Sequence, residues 1–228
     1  MSEAQDNPLR DRLLRNERSQ QLTGWYQRAD TGEFFQFDRS GDPALLRERD
    51  DSEAEVLVLY PNRAPGGGTA FVTDTGREVM RLTGLGGATY FPPEAPNGVI
   101  VEYASPAGGI APTPRSASEV RGRASRLADD LARWLNRDIL IEYTPAPRAG
   151  LGVQYDTLNR VIHAVDMLRG ERQRIRDLES IRLVTGDAPA AYRTGTELVI
   201  VIAPQYGFAG RPSSAYIREA FLSEPNES

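Results

Sequence analysis

Between residues 22 and 103 the chain is a succession of short runs rich in β-branched and aromatic residues, each followed by a turn cluster. The runs are "WYQRA", "EFFQF", "ALLRER", "EVLVLY", "AFVTD", "EVMRLT" and "TYF"; the breaks between them include "DTG", "SGDP", "PNRAPGGG" and a second "DTG". A repeat of about 8 to 12 residues suits an antiparallel meander or a small barrel. Val79, Arg81 and Thr83 alternate with Met80 and Leu82, the pattern of a half-buried strand.

The stretch "ASPAGGIAPTPRSAS", residues 104–118, ends this pattern, because its prolines and paired glycines fit no regular element. It reads as a linker or an extended crossover. Ser116 and Glu119 then form a capping-box signature, followed by Val120, Ala124, Leu127, Ala128, Leu131 and Trp134 at helical spacing. "DILIEY" reads as a strand, and Tyr155, Leu158, Ile162, Val165 and Leu168 as a helical stripe closed by Gly170. "IRLVTG" and "ELVIVIA" are strands, the second apolar on both faces and therefore central. A last helix runs from about Ser213 to Leu222, and a short one lies near Pro8 to Ser19. The expected fold class is α+β: an antiparallel β meander or small barrel, then a mixed α/β half with amphipathic helices on a small sheet. The expected organisation is an N-terminal domain over 1–103, a linker over 104–118 and a second domain over 119–228.

Composition removes whole classes of chemistry. All 27 basic residues are arginine, so Schiff-base lysines, a Walker-type phosphate lysine and a Ser–Lys dyad are excluded. The chain has no cysteine, which excludes thiol nucleophiles, disulfides and thiolate metal sites. A single histidine cannot build a multi-histidine zinc site within one chain. The net charge of −5 argues against nonspecific nucleic-acid binding, and no run approaches the ~18 apolar residues of a membrane span. Residues 1–19 are charged almost throughout and hold no apolar leader; a mature form with its leader removed reads the same way.

Two Asp-Thr-Gly tripeptides, at Asp30 and Asp74, match the segment that carries the catalytic carboxylate of aspartic proteases. Such a dyad needs two carboxylates in contact within rigid apolar loops. Here Glu33 and Arg77 follow where a small residue is needed, and only 44 residues separate the copies. Turn chemistry explains both, with Asp capping the turn and Gly supplying positive φ. His163 sits inside an amphipathic helix with no G-x-S-x-G elbow anywhere. The clusters "PGGGT" and "TGLGGAT" precede strand-like sequence, whereas phosphate cradles precede helices. Asp50, Asp51, Glu53 and Glu55 form the densest acidic run, a solvated loop or a weak cation site. "YFPPEAPNG" either contacts a partner or closes the β half.

No catalytic residue, metal ligand or cofactor is expected. The one candidate small-ligand site is anion-binding: Arg211, Ser213 and Ser214 in "GFAGRPSSAYIREAF", where Pro212 leads into a helix opened by serine. The competing arrangement is a serine cap with Arg211 paired inside the protein.

"FDRSGDPALLRE", "MRLTGLGGATYFPPEAPNG" and "GFAGRPSSAYIREAF" together resemble an uncharacterised alphaproteobacterial family, a domain of unknown function. The resemblance spans about residues 30 to 222 and implies secreted or periplasmic proteins; it brings no catalytic residue. The expected function is a non-catalytic binding or structural protein of the cell envelope, its partner an envelope protein or glycan. A carboxylate-dependent hydrolase acting on a glycan or peptide is the alternative, and a cytoplasmic location the alternative compartment.

Overall fold

The computed structural model describes residues 22–48 and 54–223. The expected helix near Pro8 to Ser19 and the acidic residues Asp50, Asp51 and Glu53 lie outside the described residues.

The first half forms eight strands: β1 (Thr23–Arg28), β2 (Phe34–Asp38), β3 (Ala44–Glu48), β4 (Leu57–Arg63), β5 (Thr69–Val72), β6 (Glu78–Leu82), β7 (Ala88–Tyr90) and β8 (Val99–Pro106). Each pairs antiparallel with the next, and β1 also pairs with β8, so the wall closes into a barrel. Closure removes the free edges that an open meander would expose. The seam depends on Gly24: a Cβ there would lie 2.3 Å from the Tyr103 ring and 3.0 Å from the Ser105 carbonyl. The interior is filled by side chains, as an eight-stranded barrel of this size requires. Tyr26, Phe35, Phe37, Leu46, Leu59, Phe71, Met80 and Tyr90 form its core. Phe35 lies between two of these rings, with centroids 5.8 Å from Tyr26 and 4.7 Å from Tyr90.

Three details depart from the sequence reading. β8 has no counterpart among the quoted runs, and it carries the wall through Ala104, Ser105 and Pro106, which were read as linker. Its proline ends the strand, where losing an N–H costs least. At the other end Ala117 and Ser118 already belong to a helix. The alternation in β6 also fails, since Val79 and Met80 are both fully buried. Phe71 pairs with Met80 and Val72 with Glu78, leaving Val79 as the extra residue of a β-bulge.

The second half holds α1 (Ala117–Leu135), β9 (Leu140–Tyr143), α2 (Leu151–Met167), β10 (Ser180–Thr185), β11 (Ala190–Thr194), β12 (Glu197–Ile202) and α3 (Ser214–Leu222), with short 3₁₀ turns between them. The sheet order is β11-β12-β10-β9; β10 runs parallel to both neighbours and β11 is antiparallel to β12. β12 therefore has a neighbour on each side, and Leu198, Val199, Ile200 and Ile202 are buried. The capping box is formed: Ser116 Oγ accepts from Glu119 N at 3.2 Å, and the Glu119 carboxylate accepts from Ser116 N at 2.7 Å. Asn136 closes α1 in the left-handed conformation, φ 57°. α2 ends at Met167, before Gly170, and its interior face is wider than the apolar stripe: Gln154, Thr157, Asn159 and Arg160 are buried too. Contacts separate the chain into two compact units, with the division between Ile110 and Ala111.

Candidate functional site: the mouth of the barrel

Alternating strand direction places the β1–β2 and β7–β8 connections at the same end of the barrel, side by side, because β8 adjoins β1. Between them opens a cleft of about 690 Å³. Phe35 and Tyr90, each 2% exposed, line its deep part. Phe34 and Pro93 line the walls, and Glu33, Glu48 and Glu94 bring carboxylates to it.

Arg28 organises this end. Tyr26 and Arg28 lie two apart on β1, so both side chains point to the barrel interior. A guanidinium there has to be neutralised by partners. Nε and Nη2 donate to the two oxygens of Asp30 at 3.1 and 2.9 Å, a bidentate fork. Nη1 donates to Glu94 at 2.6 Å and to Glu33 at 3.3 Å. The guanidinium also sits over the Tyr90 ring, 5.8 Å from its centroid. Tyr90 in turn donates its hydroxyl to Glu48 at 2.6 Å, tying β7 to β3 across the mouth.

The electrostatics follow from these bonds. The bonds to Asp30 raise the Arg28 pKa further above its ordinary value, against the opposing effect of burial. The same bonds hold the Asp30 carboxyl below its ordinary range. Glu94 is likewise lowered, by its own backbone N–H and then by Arg28. Burial, then the bond to Glu48, pushes the Tyr90 phenol up, so it stays protonated and acts as a donor. Three carboxylates thus meet one guanidinium, and Glu48 adds a fourth. The surplus extends beyond the cleft: residues 22–110 contain seven arginines against thirteen Asp and Glu, a net −6, while the rest of the chain carries +1.

A general acid needs a carboxyl raised toward neutrality. In this protein Asp30, Asp38, Glu94, Glu119, Glu171 and Asp177 are all displaced the other way.

Sequence reading missed this site. Its one visible trace was an arginine two residues from an inward tyrosine on a strand, and the partner Glu94 lies 66 residues away. In "YFPPEAPNG" Tyr90 packs inside and closes the β half, while Pro93 and Glu94 line the cleft.

Both Asp-Thr-Gly segments are hairpin turns. Gly32 N donates to the Arg28 carbonyl at 3.0 Å with φ 75° at Gly32; Gly76 N donates to the Thr73 carbonyl at 3.0 Å with φ 80° at Gly76. The first joins β1 to β2 and the second β5 to β6, four strands apart around an eight-stranded wall and hence on opposite sides of it. Asp30 is committed to Arg28 and does not form half of a proton-sharing dyad.

Of the candidate anion residues, Arg211 and Ser214 are buried and Ser213 is half-buried. Arg211 is 2% exposed and its Nε pairs with the Asp156 carboxylate. Ser213 caps α3 by accepting from Tyr216 N at 3.1 Å, and Ser214 is buried. Arg160, on the next turn of α2, reaches the other Asp156 oxygen at 3.6 Å with its side chain fully buried. Asp156 thus holds the Nε edge of the Arg211 guanidinium inside the protein. His163 Nδ1 lies 3.2 Å from Arg160 Nη1 in the same region. Among the described residues no three acidic or histidine side chains converge as metal ligands, and no helix is long and apolar enough to cross a membrane.

The chain belongs to a family described as a domain of unknown function (DUF4908), which matches residues 8–221. No curated protein and no solved structure matches it.

Proposed function

We propose that this DUF4908 protein is a non-catalytic binding protein of the bacterial cell envelope, periplasmic or secreted, which engages an envelope protein or glycan through the mouth of its barrel. The observation that carries this reading is the Arg28 network. It fixes an aromatic-lined cleft in shape while holding Asp30 and Glu94 ionised, an arrangement suited to recognition and poorly suited to proton transfer. A cleft of about 690 Å³ falls within the range of ligand sites. The envelope part of the reading rests on the three sequence stretches whose likeness is to secreted or periplasmic proteins.

The test is affinity capture from envelope extract with the native protein and a Glu94→Arg variant, followed by mass spectrometry, alongside fractionation of the producing cell. We expect a specific partner that the variant loses and native protein in the envelope fraction. Recovery of no specific partner, or equal recovery by the variant, contradicts the mouth as the binding site; native protein confined to the cytoplasm contradicts the compartment.

A further inference from the structure

We infer that the mouth of the barrel receives a cationic group, a guanidinium or an ammonium, presented by its ligand. The inference rests on reading the mouth as the binding site and names the chemistry that fits it.

The carboxylates alone would not make a site; the half-open cleft of about 690 Å³ that they share with Phe34 and Pro93 does. Phe34 is half-buried and lines the cleft beside the fully packed Phe35 and Tyr90. Aromatic faces attract cations through their quadrupole, and the protein already uses this once, with Arg28 over Tyr90. An incoming cation would meet acceptors whose charge is not used up. Arg28 is 8% exposed, and Nε, Nη1 and Nη2 are all donating to Asp30, Glu33 or Glu94. Its single positive charge therefore faces inward against three carboxylates, with Glu48 nearby as a fourth. The side chains of Glu33 and Glu94 remain 69% and 60% exposed, so both carboxylates are open to solvent at the cleft. An incoming anion would face the same carboxylates and could reach Arg28 only by breaking its existing bonds. A neutral ligand would leave the charge surplus unmatched. The net −6 of residues 22–110 adds a long-range field of the same sign, which draws basic ligands toward this unit.

The cation can come from an arginine side chain of a protein or from a de-acetylated amino sugar, and four probes separate these sources. The full chain, labelled with ¹⁵N, is titrated with a blocked Gly-Arg-Gly peptide, a glucosamine trimer, the fully acetylated trimer and a blocked Gly-Glu-Gly peptide. Shifts are followed at the amides of Thr31 to Phe34 and of Glu94. We expect one or both cationic probes to shift these resonances, with affinity falling as salt is raised. The acetylated and acidic probes should leave them unmoved. A Glu33→Gln/Glu94→Gln variant, which leaves the Asp30 fork on Arg28 in place, should bind the cation at least tenfold more weakly. Equal shifts from the acetylated or acidic probe, or unchanged affinity in the variant, overturn the cationic class while leaving the mouth as a site. Shifts from none of the four probes also overturn it, and capture of a partner lost in Glu94→Arg would still stand separately.

Discussion

Arg28 and Glu94 are 66 residues apart in the chain, and their side chains meet at 2.6 Å at the mouth of the barrel. That contact joins the β1–β2 hairpin to the β7–β8 connection, and Asp30 and Glu33 complete it from the hairpin side. Replacing Arg28 by leucine should lower stability and loosen both connections, because three carboxylates would then face one another with no cation between them. Asp30 and Glu94 have depressed pKa values, so the stability that the clamp contributes is present above the ordinary carboxylate range and is lost as pH falls through the depressed values. Urea midpoints measured between about pH 2 and pH 7 should fall less steeply with acid in Arg28→Leu than in the native protein, and hydrogen exchange should speed up at 29–34 and 91–98. Parallel acid limbs in the two proteins would count against the clamp.

Asp38 ties the opposite end of the barrel. Oδ1 accepts from Thr23 Oγ1 at 2.8 Å, Ser40 Oγ at 2.6 Å and Ser40 N at 3.0 Å, while Oδ2 accepts from Ile110 N at 2.9 Å. Burial pushes this carboxyl up, yet the hydrogen bonds from Ser40, Ile110 and Thr23 outweigh it and the pKa is lowered. Asp38→Ala leaves buried donors without their acceptor and should cost about 3 kcal/mol in urea unfolding at neutral pH. A loss within ~0.5 kcal/mol of zero would mean that the network contributes no more than an ordinary surface position.

Glu119 makes helix α1 sensitive to acid. Bonds from the Ser116 backbone and hydroxyl, then from Arg115, pull its pKa down from 4.5 to about 2. Its contribution is therefore complete above about 4.5 and lost as pH falls toward about 2. Glu119→Gln should remove that pH dependence while retaining much of the cap, since glutamine also serves at this position. Hydrogen exchange at the amides of the first turn, measured on both sides of that range, checks the expectation.

Asp156 lies between two buried guanidiniums, those of Arg160 and Arg211. Removing a carboxylate from such a position is expected to cost about 3 kcal/mol or more, because the remaining charges stay buried. Asp156→Ala and Arg211→Ala should both lower the melting temperature, with neither changing the response to added sulfate. Stabilisation of the native protein by sulfate that Arg211→Ala abolishes would make the cluster an anion site.

How much of this was legible in the sequence depends on the range of each interaction. The turns at Asp30 and Asp74 were readable because Asp, Thr and Gly act within four residues. The Ser116–Glu119 cap and the burial of Leu127 and Leu131 were readable for the same local reason. β12 could be placed inside its sheet from "ELVIVIA" alone, since an unbroken apolar run needs cover on both faces. Closure of the barrel was not readable, because it depends on β8 meeting β1 and on Gly24 admitting the Tyr103 ring. The bulge at Val79 is set by its partner strand, so alternation within β6 misled. The mouth itself joins Arg28, Glu48, Tyr90 and Glu94 from separate segments, and no spacing rule links them. Arg211 and its serines were visible as a helix entry, but Asp156, which occupies Arg211, comes from another helix.

The most direct measurement is photo-crosslinking from the mouth in the producing cell. A crosslinking residue is placed at Thr31, exposed beside the cleft, and in a second strain at Ser125, exposed on α1 in the other unit. We expect one discrete adduct from Thr31, reduced by Glu33→Gln/Glu94→Gln in the same chain and not formed from Ser125. No adduct from Thr31, or the same adduct from both positions, would contradict the mouth of the barrel as the place where this protein binds.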